Sequence, residues 1–371
     1  MKIAIVAAES HAQRTHLLSV ARQLGREHDV TVYCRRTSDD AKPILRLSKG
    51  VTVEHVDAGP ARDLPAGEVA PYLREFGMRL HRRWEDDRPD VVHAHSWTCG
   101  LAAVAGIQDL RLPFAQTFVP RHGTDGEKQL SVQRALGRRA DAVVARSGEE
   151  KATLIRLGVP RNHISVVPYG VDVERFRRRT AEEAQHSRKR LLHVGSLAPD
   201  RGAHTALVAL SAVPDVELVL AGGPAPEELG SDPQARALLR LAERYGVADR
   251  VRLLGRVPHG SVAKLMRGSD IVLTLPRQAP KGTVALEAMA CGVPVIASAV
   301  GTHLDSVVDE VTGLLVPPDR PAQTARLIRR LLADPTRRIA MGFAGADRAR
   351  SRYAWERVSQ EMLRVYESAA A

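Results

Sequence analysis

Three cysteines, five phenylalanines, six tyrosines and three tryptophans are all that 371 residues contain of those types. Cys34, Cys99 and Cys291 stand far apart without CxxC or zinc-ligand spacing, which argues against a disulfide framework and leaves reduced thiols. Aromatic residues make up only 4% of the chain, and no recognition-helix, RRM-like or OB-like pattern occurs, so no nucleic-acid partner is expected. No apolar run approaches the ~18 residues of a membrane span. The N-terminal MKIAIVAAES enters a strand-like segment at once and meets Glu9 and His11 too early for a signal peptide. These absences predict a cytoplasmic protein with no transmembrane segment. The first strand-to-helix turn, in IVAAESHAQRTHLL, has no GxGxxG and no P-loop, which argues against NAD or FAD there. Internal repeats and low-complexity segments are also missing.

What is present is charge and alternation. Lys+Arg 54 against Asp+Glu 43 gives +11, and because the arginines are spread along the chain they read as a solvated basic surface. A chain of this length exceeds one ordinary core and fits two domains of roughly 150 to 200 residues, hence a cleft. Short Val-, Ile- and Leu-rich runs alternate with helical periodicity. The first half gives KIAIVAA, DVTVYCR, VTVEHVDA, VVHAH, FAQTF, AVVAR and ISVVPYG, and the second gives RLLHVGS, VELVLAG, VRLLG, IVLTL, PVIAS and GLLVPP. Such strands, separated by stretches such as PQARALLRLAERYG, predict parallel sheets covered on both faces, an α/β fold twice over. The polar RRRTAEEAQHSRKR reads as a linker, which sets domains at 1–176 and 177–350. The remaining 351–371 closes the chain as an amphipathic helix.

Ligands of open parallel sheets bind beyond the carboxyl ends of the strands, so the strand-to-helix turns are the candidate sites. In LLHVGSLAPDRG, Gly195 lets a bulky ligand approach the backbone beside Ser196, and Arg201 offers a fork of donors to a phosphate. In KGTVALEAMACG, the N–H groups of Gly282, Thr283 and Val284 face outward at a helix start with the positive end of its dipole. Glu287 follows about one and a half turns later, within reach of a ribose if a diphosphate sits on that helix start. His93 and His95, at i and i+2 of a buried strand, share a face but lack a third metal ligand.

Together, LLHVGSLAPDRG, VELVLAGGP, VRLLGRVPHGSVAKLMRGSDIVLTLP, GTVALEAMACGVPVIASAVG and DEVTGLLVPP resemble the C-terminal domain of the retaining glycosyltransferases of family 4, which have the GT-B fold. VVHAHSW, ADAVVARSGEE, GVPRNHISVVPYGVD and the closing WERV helix resemble that family's N-terminal half, interdomain link and tail. The resemblance implies two Rossmann-like domains facing a cleft, with the C-terminal helix crossing back to the N-terminal domain. It also implies a nucleotide-diphosphate sugar donor bound mainly by the second domain and an acceptor held by the first. Glu287 then matches the ribose-binding glutamate, Arg201 the diphosphate-gripping lysine, and Gly282, Thr283 and Val284 the phosphate-facing helix start. The backbone at Arg256, Val257 and Pro258 matches the base-contacting segment. Arg201 and His95 are the expected catalytic side chains, with Trp97 an apolar wall of the acceptor site. The nucleotide-sugar is a co-substrate, and neither metal nor other cofactor is expected.

The pattern also breaks. The family's second glutamate falls at Ala279, Ser196 replaces a phosphate-binding arginine, Val119 replaces a histidine near the sugar, and AESHAQRTH lacks paired glycines. These departures leave open an active transferase with an unusual donor sugar or a thiol acceptor, an inactive nucleotide-binding or partner subunit, and a nucleotide-sugar epimerase. His122 could stand in for the missing histidine, and arginines 121, 134, 138 and 139 could build a basic acceptor pocket. A soluble small-molecule acceptor from a secondary-metabolite pathway is the expectation. The oligomeric state is not fixed by the sequence, with a homodimer one option.

Overall fold

The computed structural model describes residues 1–7, 11–64, 66–118, 127–180, 183, 188–278 and 281–371, with side chains for all of these except 11–15, 66, 67 and 128. The chain divides into two compact units, Met1–Pro168 with Trp355–Ala371, and Tyr169–Ala354.

The first unit is built on strands β1 (Lys2–Ala7), β2 (Asp29–Arg35), β3 (Ile44–Ser48), β4 (Val51–Val56), β5 (Val91–His95), β6 (Phe114–Thr117), β7 (Ala142–Ala145) and β8 (Ile164–Val166). Their order in the sheet is β3-β4-β2-β1-β5-β6-β7-β8. Alternate residues of β1 serve opposite cores: Ile3 and Ile5 pack with Leu17, Val20 and Met362, whereas Ala4 and Val6 pack with Phe76, Leu80 and Ala103. That is why its sequence is apolar throughout instead of alternating. One strand departs from the parallel expectation, since β3 pairs antiparallel with β4 across a turn at Gly50. It lies at the sheet edge, where a half-exposed, alternating pattern replaces the apolar run and a short hairpin replaces a helical crossover.

The second unit holds β9 (Lys189–Val194), β10 (Val216–Ala221), β11 (Val251–Gly255), β12 (Ile271–Thr274), β13 (Val295–Ser298) and β14 (Gly313–Val316). The order β11-β10-β9-β12-β13-β14, with every pairing parallel, is that of a doubly wound sheet whose direction reverses between β9 and β12. Leu191 and Leu192 of β9 face the two separate cores on either side.

Two boundaries shift from those expected, and at the second the unit runs to Ala354 and not to 350. Tyr169–Phe176 belongs to the second unit because Tyr169, Val171 and Phe176 are buried in its core, so the units part at Pro168 and not at 176. The expected linker begins by anchoring to that same unit: the Arg178 guanidinium lies 4.4 Å from the Phe343 ring centroid, and Arg179 donates to the Ser269 carbonyl at 2.6 Å. Cationic side chains with long apolar stems read as linker in a sequence but pack well over apolar surface. The closing helix, Trp355–Ala370, buries Val358, Met362, Val365 and Tyr366 in the first unit. Among the described residues no helix is long and apolar enough to cross a membrane.

Candidate nucleotide and acceptor sites

Beyond β9, the chain passes through Gly195 and Ser196, makes a 3-10 turn at Pro199–Arg201, and enters the helix Ala203–Leu210. This loop is held tightly from the side: a Cβ at Gly222, where φ is +134°, would lie 2.0 Å from the Gly195 carbonyl oxygen, so only glycine fits. Ser196 is exposed, and its hydroxyl accepts the Ala198 N–H at 3.2 Å, a turn-forming role instead of a charged one. Arg201 is half-exposed, its Nε 3.4 Å from Asp200 Oδ2, and its outer nitrogens are turned to no other described residue by a hydrogen bond. Beyond β11, Arg256 is exposed with its N–H on the Pro224 carbonyl at 2.7 Å, and Val257 is half-buried against the core.

Beyond β12, the helix Thr283–Ala290 starts at Gly282, which as a glycine supplies no side-chain cap, and the first N–H groups of a helix have no intrahelical partner. Gly282 has φ +72°, and a Cβ there would lie 2.2 Å from Thr302 Oγ1, so the turn that aims these groups depends on glycine. Lys281 is half-buried just before it, and burial pushes its ammonium below the ordinary lysine range. Beneath, His303 is buried with Nδ1 2.9 Å from the Ser298 carbonyl, and desolvation lowers it to about 4, so the ring is neutral and acts as packing.

Glu287 lies on the second turn of this helix, its side chain 12% exposed, flanked by Ala285, Leu286 and Ala288, which are buried. The segment is as apolar as the sequence indicated, yet the carboxylate is not alone. His259 Nε2 is 3.2 Å from Glu287 Oε1, and the His259 ring lies 5.4 Å from Phe176. Glu287 raises the His259 pKa above the usual histidine value, burial opposing it. The sequence pattern points to a second glutamate at position 279 as the partner and not to His259 in that role. A signal existed, since His259 follows directly on the Arg256–Pro258 segment. Ala279 itself lies outside the described residues.

In the first unit, His93 and His95 at the end of β5 share a face, ring centroids 4.2 Å apart. Both nitrogens of His93 are engaged, Nδ1 with Tyr366 Oη at 2.7 Å and Nε2 with Thr117 Oγ1 at 2.8 Å, so it is a packed histidine and not a metal ligand. Among the described residues no group of three His, Cys, Asp or Glu side chains could hold a metal ion. His95 is 9% exposed; desolvation first, then the Arg146 charge, lowers it to about 3. A neutral imidazole of that kind is a hydrogen-bonding group and a poor base at neutral pH. Ser96 follows with φ +103°, its hydroxyl accepting the Cys99 N–H at 3.3 Å, while Trp97 is half-buried at the start of the next helix. Arg134 and Arg138 are exposed and donate to the Leu157 and Gly158 carbonyls, both at 3.2 Å, at the C-terminus of the helix Gly148–Arg156. Arg139 is exposed. Val119, Arg121, His122 and the turn after β1 at residues 8–10 lie outside the described residues.

A doubly wound parallel sheet carrying an arginine, a helix start and a carboxylate beyond the adjacent ends of β9 and β12 is an α/β architecture with its candidate site where such sheets bind ligands. Residues 174–348 match the family of glycosyl transferases group 1, and residues 13–175 match glycosyltransferase family 4. D-inositol 3-phosphate glycosyltransferase 1 of Catenulispora acidiphila is 32% identical over 92% of this chain and 86% of that protein. Sucrose-phosphate synthase of Thermosynechococcus elongatus superposes with a TM-score of 0.84 at 25% identity, covering 99% of this chain and 98% of its own. HepE of Anabaena, solved with UDP and glucose, gives a TM-score of 0.77 at 22% identity, with 98% of each chain covered. The chain belongs to glycosyltransferase family 4, and it is a glycosyltransferase of the GT-B fold.

Proposed function

We propose that this enzyme is a retaining transferase that moves a sugar from a nucleoside-diphosphate donor, bound by the second unit, to a small soluble acceptor received by the first. The observation that carries the reading is the grouping of Arg201, the uncapped start of Thr283–Ala290 and Glu287 beyond neighbouring strand ends. Arg201 and the helix N–H groups supply positive charge for the diphosphate, and Glu287 accepts from the two vicinal hydroxyls of the ribose. As the sugar–phosphate bond breaks, negative charge grows on the leaving diphosphate, and preformed donors aimed there stabilise it by about 10²-fold each. With His95 too weakly basic to take the acceptor's proton, the donor's own phosphate oxygen takes it, and His95 orients the nucleophile by a hydrogen bond. No metal enters this scheme.

The name of the Catenulispora relative supports a small, phosphorylated polyol as the acceptor class, and the UDP bound to the Anabaena protein supports a uridine nucleotide as the first donor to test. Ser196, uncharged where the family has an arginine, together with Ala279 supports a donor sugar that differs from the common hexoses. A thiol acceptor, which needs least help in losing its proton, is the variant of this reading to include in the assay. The test is incubation of the enzyme with a panel of nucleotide sugars and with alcohol, inositol-phosphate and thiol acceptors, the product's anomeric configuration being read by NMR. Transfer with retained configuration supports the reading. Binding of no nucleotide, or inverted product, refutes it.

A further inference from the structure

His259 stands one residue beyond Pro258, at the first position of the helix His259–Arg267, and reaches across to a different helix. Its ring is fixed at two points. Nε2 sits 3.2 Å from Glu287 Oε1, and the ring packs at a 47° tilt, centroids 5.4 Å apart, on Phe176, whose side chain is fully buried. The charged groups acting on it are Glu287 from the helix Thr283–Ala290 and Asp172 and Arg175 from the segment before Phe176. Of these Glu287 dominates, and Arg175 and Asp172 oppose each other. Glu287 is nearly enclosed, at 12% exposure, while His259 is 48% exposed, so the histidine occupies the solvent side of the carboxylate.

We propose that His259 is a positioning residue for the donor: it holds one oxygen of Glu287 so that the carboxylate meets the ribose diol in a single orientation, and thereby makes the enzyme's preference for ribonucleotides depend on pH. This rests on the reading of Glu287 as the ribose ligand. A carboxylate with a free terminal torsion must be ordered on binding, whereas one already held by a hydrogen bond presents its second oxygen in place. The hold is strongest with a charged imidazolium, since charge-assisted hydrogen bonds are the stronger kind. Because the folded-state pKa of His259 lies above the ordinary value, that stronger hold persists below it and fades as pH rises through it.

The experiment is calorimetric titration of the full chain with adenosine, guanosine and uridine diphosphates, followed by the 2′-deoxy form of the tightest binder, between pH 5.5 and 8.5. Inorganic pyrophosphate serves as a ligand with no ribose. Wild type is expected to prefer the ribonucleotide by about tenfold at the acid end, as befits one hydrogen bond to a charged group, with the preference falling as pH rises. His259→Ala should reduce it to about two- or threefold at every pH. His259→Gln, which keeps a neutral donor, should restore an intermediate preference without pH dependence. Pyrophosphate affinity should be the same in all three, and matching melting temperatures confirm that the variants fold. An unchanged preference in His259→Ala, or a pH-independent one in wild type, overturns the proposal while leaving the donor site intact. Wild type that binds pyrophosphate but no nucleotide overturns the donor-site reading and this proposal with it.

Discussion

Replacing Glu287 by alanine tests the donor site most directly, because the structure separates its effect on binding from its effect on folding. The side chain lies within a buried segment, but His259, its hydrogen-bond partner among the described residues, is half-exposed, so losing the pair costs less than about 1 kcal/mol of stability after solvent screening. Losing the ribose contacts removes a charged acceptor from two hydroxyls. Taking about 2 kcal/mol for that loss, within the range for hydrogen bonds to charged groups, nucleotide affinity falls about 30-fold. At a nucleotide concentration of about 100 times the wild-type Kd, binding stabilises the wild type by about 2.7 kcal/mol, and the variant by only about 0.9 kcal/mol. For a unit the size of Tyr169–Ala354 these correspond to melting shifts of roughly 5 to 11 °C and 2 to 4 °C. The assay is a thermal melt of both proteins with and without each nucleoside diphosphate. Equal shifts in the two proteins would remove Glu287 from the site.

Arg201→Ala should weaken nucleoside diphosphates by about 10- to 100-fold while leaving an unphosphorylated nucleoside unchanged; a parallel loss with both, in the same calorimetric titration, would mean that Arg201 does not meet the diphosphate. Gly282→Ala forces a side chain into a left-handed turn against Thr302 and should cost about 1 to 3 kcal/mol, read as a lower urea midpoint, with nucleotide affinity reduced as well. A midpoint equal to wild type would show that the turn has room. Buried histidines predict acid sensitivity: His95 is lowered to about 3, and His193 and His303 to about 4, all by desolvation first. Their unfolded-state rings bind protons below about pH 6.5 while the folded ones do not, so stability is full above that pH and falls by about 2 kcal/mol per ring on reaching pH 5. Urea unfolding at pH 7.5 and 5 measures this, and equal midpoints would mean that the rings charge inside the folded protein.

Much of this architecture is written in local pattern. KIAIVAA, RLLHVGS and PVIAS each became a strand because a segment buried on both faces must be apolar at every position, whatever lies next to it. The helix start at Gly282 was also legible, since a glycine before a run of small apolar residues carries its own turn geometry. The carbonyls that Arg134 and Arg138 meet were not legible, because charge reveals nothing of which acceptor a guanidinium reaches. The strand at Ile44–Ser48 was hidden by its half-exposed edge position, and the boundary at Pro168 by three aromatic and aliphatic side chains whose core is built from residues far along the chain.

The sequence by itself determined two doubly wound α/β units, the strand ends where a ligand would bind, and the membership in a glycosyltransferase family. These follow from periodicity and turn chemistry within windows of a dozen residues, where backbone hydrogen bonding and burial act locally. Only the tertiary structure decided that Glu287 is held by His259, 28 residues before it, and that His93 is locked by Tyr366, 273 residues after it. Such pairs depend on how helices come together over a sheet, and a hydrogen bond of 3 Å is set by the sum of many packing contacts, none of which leaves a mark on the spacing of the residues that make it.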